Sequence, residues 1–223
     1  MKLMSHSFTT PFSRLPESLP IFPLPGAVVM PGCQLPLNIF EPRYLNMVFD
    51  ALGVDRMIGI VQPDPSATGE DAAAVCRTGT AGRITSFSET EDGRLIIVLT
   101  GICRFDVGEE LATTGGYRRV TARWERFSVD YETDEGDCDA CHRLYPLLRS
   151  YFARKSMEVD DLLLEKMPAT SLVNLMIGQL PFDMAERQAL VEAVSIRERL
   201  DHLARLLEFK LAEPQAQGSA RRH

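Results

Sequence analysis

The sequence predicts an α+β protein with a strand-rich first half and a helical second half. Up to about Asp130, short apolar or alternating runs are broken by glycine and proline, which is typical of strands and turns. From Cys138 to Leu211, apolar residues recur every three or four positions, which is the spacing of a helix face. Because no helices alternate regularly with the strands, we expect mostly antiparallel pairing in a barrel or a sandwich.

Three runs in the first half have the pattern of strands. RMIGIVQ (Arg56–Gln62) is a short apolar run that ends at the polar, turn-rich loop PDPSATGE. RLIIVLTGICRFDV (Arg94–Val107) follows Asp92-Gly93, a pair typical of hairpin turns. YRRVTARWERFSV alternates, which places two sets of side chains on opposite faces of a strand: Val120, Ala122 and Trp124 on one, and Arg119, Thr121, Arg123 and Glu125 on the other.

One helix is predicted within this half. Pro42 suits the first helical position, where its missing N–H would have no intrahelical partner. Apolar side chains then recur at helical spacing as far as Gly53, where the helix is expected to end: Tyr44, Leu45, Val48, Phe49 and Leu52.

The second half is expected to contain several helices. Asp183 with Glu186 and Ser195 with Glu198 both have the spacing of a capping box, and each pair precedes a periodic apolar pattern. The run SLVNLMIGQL is expected to form a more fully buried helix. The last helix has one apolar stripe, formed by Leu200, Leu203, Leu207 and Leu211.

The acidic run DYETDEGDCD separates the two halves and indicates a subdomain boundary. We therefore divide the chain into a flexible N-terminus (1–18), a β-rich subdomain (19–130), a helical subdomain (131–211) and a disordered polar tail (212–223).

Composition and charge exclude several classes of protein. The net charge of −7 argues against a nucleic-acid partner, because phosphate binding needs a basic face. The longest nearly apolar run, LIIVLTGIC, is far too short to span a bilayer, and MKLMSHSFTTPFSRLPESLP lacks the apolar core of a signal peptide.

Five cysteines, an odd number, fit a reducing compartment better than a disulfide framework. We expect a cytoplasmic protein that does not contact a membrane.

The pentapeptide CDACH matches the signature of covalent c-type haem attachment, and it could also supply half a zinc site or a thiol redox pair. On the predicted helix, however, both cysteines belong to one apolar stripe, formed by Cys138, Cys141, Tyr145, Leu148 and Phe152. Acidic neighbours disfavour a thiolate, and no second CxxC is present. We therefore expect two core cysteines, with His142 at the solvent edge of the stripe, and no metal, haem or other cofactor.

The segment LPIFPLPGAVVMPGCQLPLNIFEPRYLNMVFDAL (Leu19–Leu52) resembles the opening of the N-terminal, substrate-binding domain of Lon proteases. The similarity continues through CRTGTAGRITSFSETEDGRLIIVLTGICRFDV, which has the family's glycine-containing strand, acidic turn and Gly-x-x-Arg strand. It ends with LPFDMAERQALVEAVSIRERLDHLARLLE, which is similar to the family's last pair of helices. The resemblance covers Leu19 to Glu208, which is nearly the whole chain.

This resemblance implies a six-stranded pseudo-barrel of the PUA-like kind with one helix, followed by a helical bundle. It also implies a module that recognises polypeptide substrates or a protein partner and that can support self-association. No G-x-x-x-x-G-K-[ST] loop is present to bind nucleotide phosphates, and the chain leaves no room for a peptidase domain. We therefore expect a non-catalytic binding module and not an enzyme.

Such a module is expected to bind through exposed apolar surface or through a free barrel edge that offers backbone pairing. A stable apolar groove between the barrel and the helices would support this mechanism.

The motif residues first have structural interpretations. Pro31-Gly32 is expected to form a turn in which glycine adopts a positive φ. Glu41, at the start of the predicted helix, is expected to accept N–H groups of the first turn and to interact with the helix dipole. Arg43 and Arg104 are its candidate ion partners.

The alternative is that Glu41, Arg43 and Tyr44 line a ligand groove. The candidate site residues of the motif are Pro31, Gly32, Phe40, Glu41, Arg43, Tyr44 and Arg104.

An RNA-binding barrel is a further hypothesis, because PUA-like folds include RNA binders and YRRVTARWER interleaves aromatic residues with arginines. It predicts a contiguous positive patch, formed by Arg118, Arg119, Arg123 and Arg126. A solvated barrel face with arginine heads in water is favoured instead. GTAGRI is not a phosphate loop, because it lacks a lysine and a following helix, so its glycines are expected to mark a bulge or a close approach in a strand.

Overall fold

Strands and one helix form the first part of the chain, and helices form the second. The computed structural model describes residues 10–68, 73–132, 138–157, 164 and 166–213. The first part contains a 3₁₀-helix (Phe12–Arg14), β1 (Ser18–Pro23), β2 (Gln34–Ile39), α1 (Pro42–Gly53), β3 (Met57–Val61), β4 (Thr78–Glu89), β5 (Leu95–Leu111), β6 (Arg118–Arg123) and a second 3₁₀-helix (Glu125–Tyr131). The second part contains α2 (Cys138–Arg154), α3 (Ala169–Gln179), α4 (Met184–Glu192) and α5 (Ile196–Ala212). The predicted α+β class is confirmed.

The six strands form one sheet that curls on itself. Its order is β2-β5-β4-β3-β1-β6, and β6 pairs in addition with β5. This extra pairing is possible because β5 has 17 residues. The part of β5 up to Thr100 pairs with β2, and the part from Asp106 onward pairs with β6. The pairings are antiparallel apart from β1–β3. The sheet is the predicted six-stranded pseudo-barrel, with β2 outside the ring of the other five strands.

Bulges and close approaches shape the strands. The register of β4 against β5 shifts between Ala81 and Gly82, and a Cβ on Gly79 would lie 2.7 Å from the carbonyl oxygen of Ile60. The prediction that the glycines of GTAGRI mark a bulge or a close approach is therefore confirmed. The strand predicted to end at Val107 is longer, because it continues to Leu111 across another bulge.

Two apolar clusters fill the barrel and one fills the helical part. Within the barrel, one cluster joins α1 to the sheet, and the other surrounds Phe105, Trp124 and Phe127. The third cluster is built from α2 to α5, but it also contains Met30 from the loop between β1 and β2. That loop therefore belongs to the interface between the barrel and the helices.

The helix signals read from the sequence are confirmed where the structure describes them. Both capping boxes are formed, Asp183 with Glu186 at α4 and Ser195 with Glu198 at α5. Helix α3 is the more fully buried helix that SLVNLMIGQL predicted. In α5 the stripe of Leu200, Leu203 and Leu207 is buried, and Leu211 is partly buried.

Helix α2 begins at Cys138, as predicted. Leu148 and Phe152 of its apolar stripe are buried, Tyr145 is partly buried, and His142 is exposed. The side chains of Cys138 and Cys141 lie outside the described residues, so their core position stays a prediction. Within the described parts of the chain, every helix is too short or too polar to cross a membrane.

Residues 10–17, which precede β1, are hydrogen bonded to the barrel. The Tyr131 hydroxyl donates to the carbonyl oxygen of Thr10, and the Trp124 indole N–H donates to that of Pro16. Residues 1–9 and 214–223 lie outside the described residues, so the flexible N-terminus, the tail and the subdomain boundaries drawn from the sequence stay predictions.

Candidate functional site

The family-motif residues lie in two separate places. Pro31, Gly32 and Arg104 lie where the barrel meets the helices, and Glu41, Arg43 and Tyr44 lie at the start of α1. Phe40, which directly precedes that start, is 60% exposed.

The Pro31-Gly32 turn is fixed against β5. Cys33 N–H donates to the carbonyl oxygen of Met30, and Gly32 has a φ of +80°, so the turn has the predicted form. Gly32 and Gly101 are also joined, because Gly32 N–H donates to the Gly101 carbonyl oxygen over 2.9 Å. A Cβ on Gly101 would collide with the Met30 carbonyl group. Glycine at this position therefore lets the turn approach the strand.

Arg104 is fully buried and forms an ion pair with Asp130, not with Glu41. Its Nε and Nη2 donate to the Asp130 carboxylate, with the Nη2–Oδ1 distance at 2.6 Å. The remaining donors reach three carbonyl oxygens at and after the end of α4, those of Val191, Ala193 and Val194. The expected Glu41–Arg104 pair is therefore wrong, because the buried Asp130 and the carbonyl groups occupy the whole guanidinium.

A second buried arginine extends this network to the Pro31-Gly32 turn. Arg199 donates to Asn174 Oδ1 over 2.6 Å, and Asn174 Nδ2 donates to the Pro31 carbonyl oxygen over 3.0 Å. Arg199 Nη2 also lies 3.9 Å from Asp130 Oδ1. The motif turn and the motif arginine thus belong to one polar network that holds the helices on the barrel.

Three members of this network, Asp130, Asn174 and Arg199, were not among the residues predicted from the sequence. Asn174 left a signal, because it is the one amide inside the apolar run SLVNLM, and a buried amide needs partners. No local pattern in the sequence marks Asp130 or Arg199, because their pairing joins residues that are far apart along the chain.

The other motif residues border a cleft on the barrel, with a volume of about 300 Å³. We call it the Tyr44–Tyr117 cleft. Its lining residues are Pro23, Pro25, Arg43, Tyr44, Pro63, Ala73, Ala74, Val75, Gly116, Tyr117 and Arg118.

One wall of the cleft is a stack at the start of α1. The centroids of the Tyr44 and Phe22 rings are 4.2 Å apart. The Arg43 Cζ atom lies 4.6 Å from the centroid of the Tyr44 ring. Glu41 pairs with Arg43, with its Oε2 2.9 Å from Nε and 2.8 Å from Nη2. Glu41 is the N-cap residue of α1, but its side chain makes no capping hydrogen bond. The capping expected for Glu41 is therefore wrong, because Arg43 takes the carboxylate.

The opposite wall is formed by Tyr117 and Arg118. The Tyr117 hydroxyl donates to Asp50 of α1 over 2.7 Å, which ties this wall to the helix. Arg118 donates to Glu110 over 2.9 and 2.7 Å and to the Ala73 carbonyl oxygen over 2.5 Å. Both walls are thus held in place by contacts within the chain.

Both tyrosines of the cleft are protonated at neutral pH, since the ordinary pKa of a phenol is about 10. Desolvation raises the pKa of Tyr44, and it also raises the pKa of Tyr117, with a further contribution from the hydrogen bond to Asp50. Among the described residues the Tyr44 hydroxyl has no hydrogen-bond partner. It can therefore donate to a ligand in the cleft.

Comparison with known proteins agrees with these motifs. A family model described as the ATP-dependent protease La (LON) substrate-binding domain matches residues 18–208. The chain belongs to this family. It is 22% identical to a Lon protease of Syntrophus aciditrophicus and 26% identical to Lon protease 2 of Myxococcus xanthus, which it matches over 89% and 88% of its own length. It spans 26% and 24% of those proteins, about a quarter of each.

Solved structures show the same fold. A Lon N-terminal domain protein from Xanthomonas campestris aligns with a TM-score of 0.62 at 26% identity, over 83% of this chain and 96% of that one. The N-terminal domain of a Mycobacterium avium complex Lon protease also aligns with a TM-score of 0.62, at 18% identity, over 86% of this chain and 98% of that one.

The expected groove between the barrel and the helices is not where the cleft of this Lon substrate-binding domain lies. The cleft lies on the barrel. Its lining residues belong to the barrel, to its loops and to α1, and none belongs to α2–α5. The interface between barrel and helices is occupied by the buried Met30 side chain and by the polar network of Arg104, Asp130, Arg199 and Asn174, which we call the Arg104 network.

The free edge of the barrel is a poor site for backbone pairing. β2 is the edge strand of the sheet. Gly101 N–H donates to the Cys33 carbonyl oxygen, and hydrogen-bonded residues alternate along antiparallel strands. The backbone groups of Gln34, Pro36 and Asn38 therefore point away from β5. Because Pro36 has no N–H, the ladder that an added strand would form on this edge is interrupted.

The arginines proposed for RNA binding are largely bound within the domain. Arg118 pairs with Glu110, Arg119 donates to the Ser18 hydroxyl and carbonyl oxygens, and Arg126 lies 3.1 Å from the Asp106 carboxylate. These contacts neutralise or occupy most of the expected patch, so no observation favours RNA over polypeptide.

No thiol or metal site is present in the parts of the domain that the structure describes. No group of three or more potential ligands could hold a metal ion there. Burial raises the pKa of Cys33 to about 11, and it also raises the pKa of Cys76 and Cys103, so these thiols stay protonated at neutral pH. The CDACH cysteine side chains lie outside the described residues.

Proposed function

We propose that this domain is a non-catalytic module that binds polypeptides in the Tyr44–Tyr117 cleft. The observation that carries the proposal is the make-up of the cleft: prolines, alanines, a valine and two tyrosine rings form the walls, and motif residues Arg43 and Tyr44 are part of them. The family description, a substrate-binding domain, supports the same conclusion.

The cleft suits one or two side chains of an extended polypeptide. Its volume of about 300 Å³ lies at the small end for ligand pockets. Proline and tyrosine surfaces are rigid and apolar, so they bind apolar side chains at a small entropic cost. The Tyr44 hydroxyl can donate to a backbone carbonyl group of the bound chain.

The proposal includes no ATPase or peptidase activity. The match is to the substrate-binding domain alone, and the longer Lon proteases contain about three-quarters of their length outside it. The proposal also includes self-association of the domain. A cytoplasmic location fits the free thiols of Cys33, Cys76 and Cys103.

The test is a titration of the domain into a fluorescently labelled, permanently unfolded polypeptide, followed by anisotropy. Ala73→Trp places a large ring at an exposed position of the cleft wall and is expected to weaken binding at least about tenfold, because it fills the space that a bound side chain needs. Circular dichroism of the variant checks its fold.

The matched control is Phe209→Ser, which removes a side chain that is 61% exposed and lies on α5, away from the cleft. It should bind as the unchanged domain does. Absence of any binding would refute the proposed function. Binding that Phe209→Ser weakens and Ala73→Trp leaves intact would refute the site.

A further inference from the structure

We infer that the Tyr44–Tyr117 cleft selects segments in which an apolar side chain is followed or preceded by an acidic one. This inference rests on the proposed function and names the class of polypeptide that the cleft prefers.

The charged residues that line the cleft are both arginines. Arg43 and Arg118 line it, and none of the other lining residues is charged. The whole chain, in contrast, has a net charge of −7. The charged groups that face the cleft are therefore guanidinium groups, and their carboxylate partners, Glu41 and Glu110, are not lining residues.

Arg43 has an unused donor group. Its Nε and Nη2 both bind the same oxygen of Glu41, Oε2. Among the described residues Nη1 has no partner, and the Arg43 side chain is 54% exposed. A guanidinium has five N–H donors and binds carboxylates well. Arg43 can therefore bind a ligand carboxylate without giving up Glu41.

Arg118 contributes less than Arg43, because three of its five N–H donors are used within the chain. Its three nitrogens already bind Glu110 and the Ala73 carbonyl oxygen. These bonds hold the guanidinium in the wall, and Glu110 offsets its charge, so Arg118 shapes the cleft and Arg43 is the group that can bind a ligand carboxylate.

The start of α1 offers one more donor. The Glu41 side chain binds Arg43 and makes no capping hydrogen bond. Beside it, the Tyr44 hydroxyl is a neutral donor. Together, Arg43 Nη1 and the Tyr44 hydroxyl favour a carboxylate of the ligand at the mouth of an apolar cleft.

Four blocked peptides of equal length test the inference. One has Phe-Pro next to Glu, the second has Gln in place of Glu, the third has Lys there, and the fourth has Ser in place of Phe. Acetylated and amidated ends remove the terminal charges. The acidic peptide is expected to bind about fivefold more tightly than the Gln peptide at low salt, and the Lys and Ser peptides more weakly still.

Arg43→Gln should abolish the preference for Glu over Gln, which is read as the ratio of the two Kd values of that variant, so that a change in its overall affinity does not enter. The matched control is Arg94→Gln, because Arg94 also forms an exposed ion pair with a carboxylate two residues away, Asp92, and lies outside the cleft. The control should keep the preference, and rising salt should reduce it in the unchanged domain.

Equal binding of the Glu and Gln peptides would overturn the inference and leave the proposed function intact. A preference that survives in Arg43→Gln would also overturn it. Binding of the labelled unfolded polypeptide to Ala73→Trp at full strength would instead show that the cleft itself is the wrong site.

Discussion

Arg104 is buried, yet each of its five side-chain donors has an acceptor. Nε and one donor of Nη2 reach Asp130, and the others reach the carbonyl groups of Val191, Ala193 and Val194. A buried charge is tolerated only when it is paired and hydrogen bonded in this way. Arg104 therefore holds parts of the domain together, whereas the Arg43 side chain is 54% exposed and pairs only with Glu41 among the described residues.

Asp130→Ala tests this role. It leaves Arg104 and Arg199 buried without their carboxylate, so we expect a loss of about 3–5 kcal/mol in the free energy of unfolding. Urea denaturation measures it. Asp92→Ala, which removes an exposed partner of Arg94, is the matched control and should change stability little. Equal effects of the two substitutions would contradict the assignment of Asp130 to a buried network.

The helices differ in how their first turns are satisfied. At α5, Ser195 and Glu198 accept each other's backbone N–H groups, and the same holds for Asp183 and Glu186 at α4. At α1 the N-cap carboxylate turns to Arg43 instead. The first turns of α4 and α5 are thus closed by side-chain caps, and that of α1 has none.

The capping box of α5 predicts a pH dependence of stability. Hydrogen bonds from the Ser195 backbone hold the pKa of Glu198 below its ordinary value. Since the folded chain binds this proton more weakly than the unfolded chain, Glu198 stabilises the fold above about pH 4.3, and this stabilisation is lost as pH falls through the lower, folded value.

Urea midpoints measured as a function of pH check this expectation. Glu198→Gln should lose less stability on acidification than the unchanged chain does. The control Glu109→Gln, at an exposed carboxylate of β5, should follow the unchanged chain. Identical pH profiles for Glu198→Gln and the unchanged chain would show that the capping box does not act in this way.

The barrel and the helices pack against each other across one interface. Met30 of the barrel is buried among the helices, and the Arg104 network crosses the same boundary. Gln62 at the end of β3 also donates to Gln188 and to the Met184 carbonyl oxygen of α4. Contacts of this number and burial join the two parts more firmly than a flexible connection would.

We therefore expect the barrel and the helices to unfold together. Trp124 is the single tryptophan of the chain and lies in the barrel core, so its fluorescence reports on the barrel. Far-UV circular dichroism reports mainly on the helices. The two signals should change in one urea transition. Two separate midpoints would show that the parts are independent domains.

Local patterns were enough to predict many elements. Pro42 and the apolar spacing up to Gly53 predicted α1, the Ser/Asp-to-Glu spacing predicted the capping boxes, and Asp92-Gly93 predicted the β4–β5 hairpin turn, where Gly93 has a φ of +78°. These features depend on residues within a few positions of each other, so the sequence alone determined them. The resemblance to Lon domains added the strand number.

Only the tertiary structure decided which motif residues act together. Arg104 and Asp130 are 26 positions apart, and Tyr44 and Tyr117 meet only because the barrel brings the start of α1 beside the start of β6. Glu41 was predicted from the sequence as a partner of Arg104. In the structure Arg104 is buried and binds the Asp130 carboxylate and three carbonyl groups at and after the end of α4. A pairing of side chains is set by which surfaces pack together, and that depends on the whole chain and not on spacing along it.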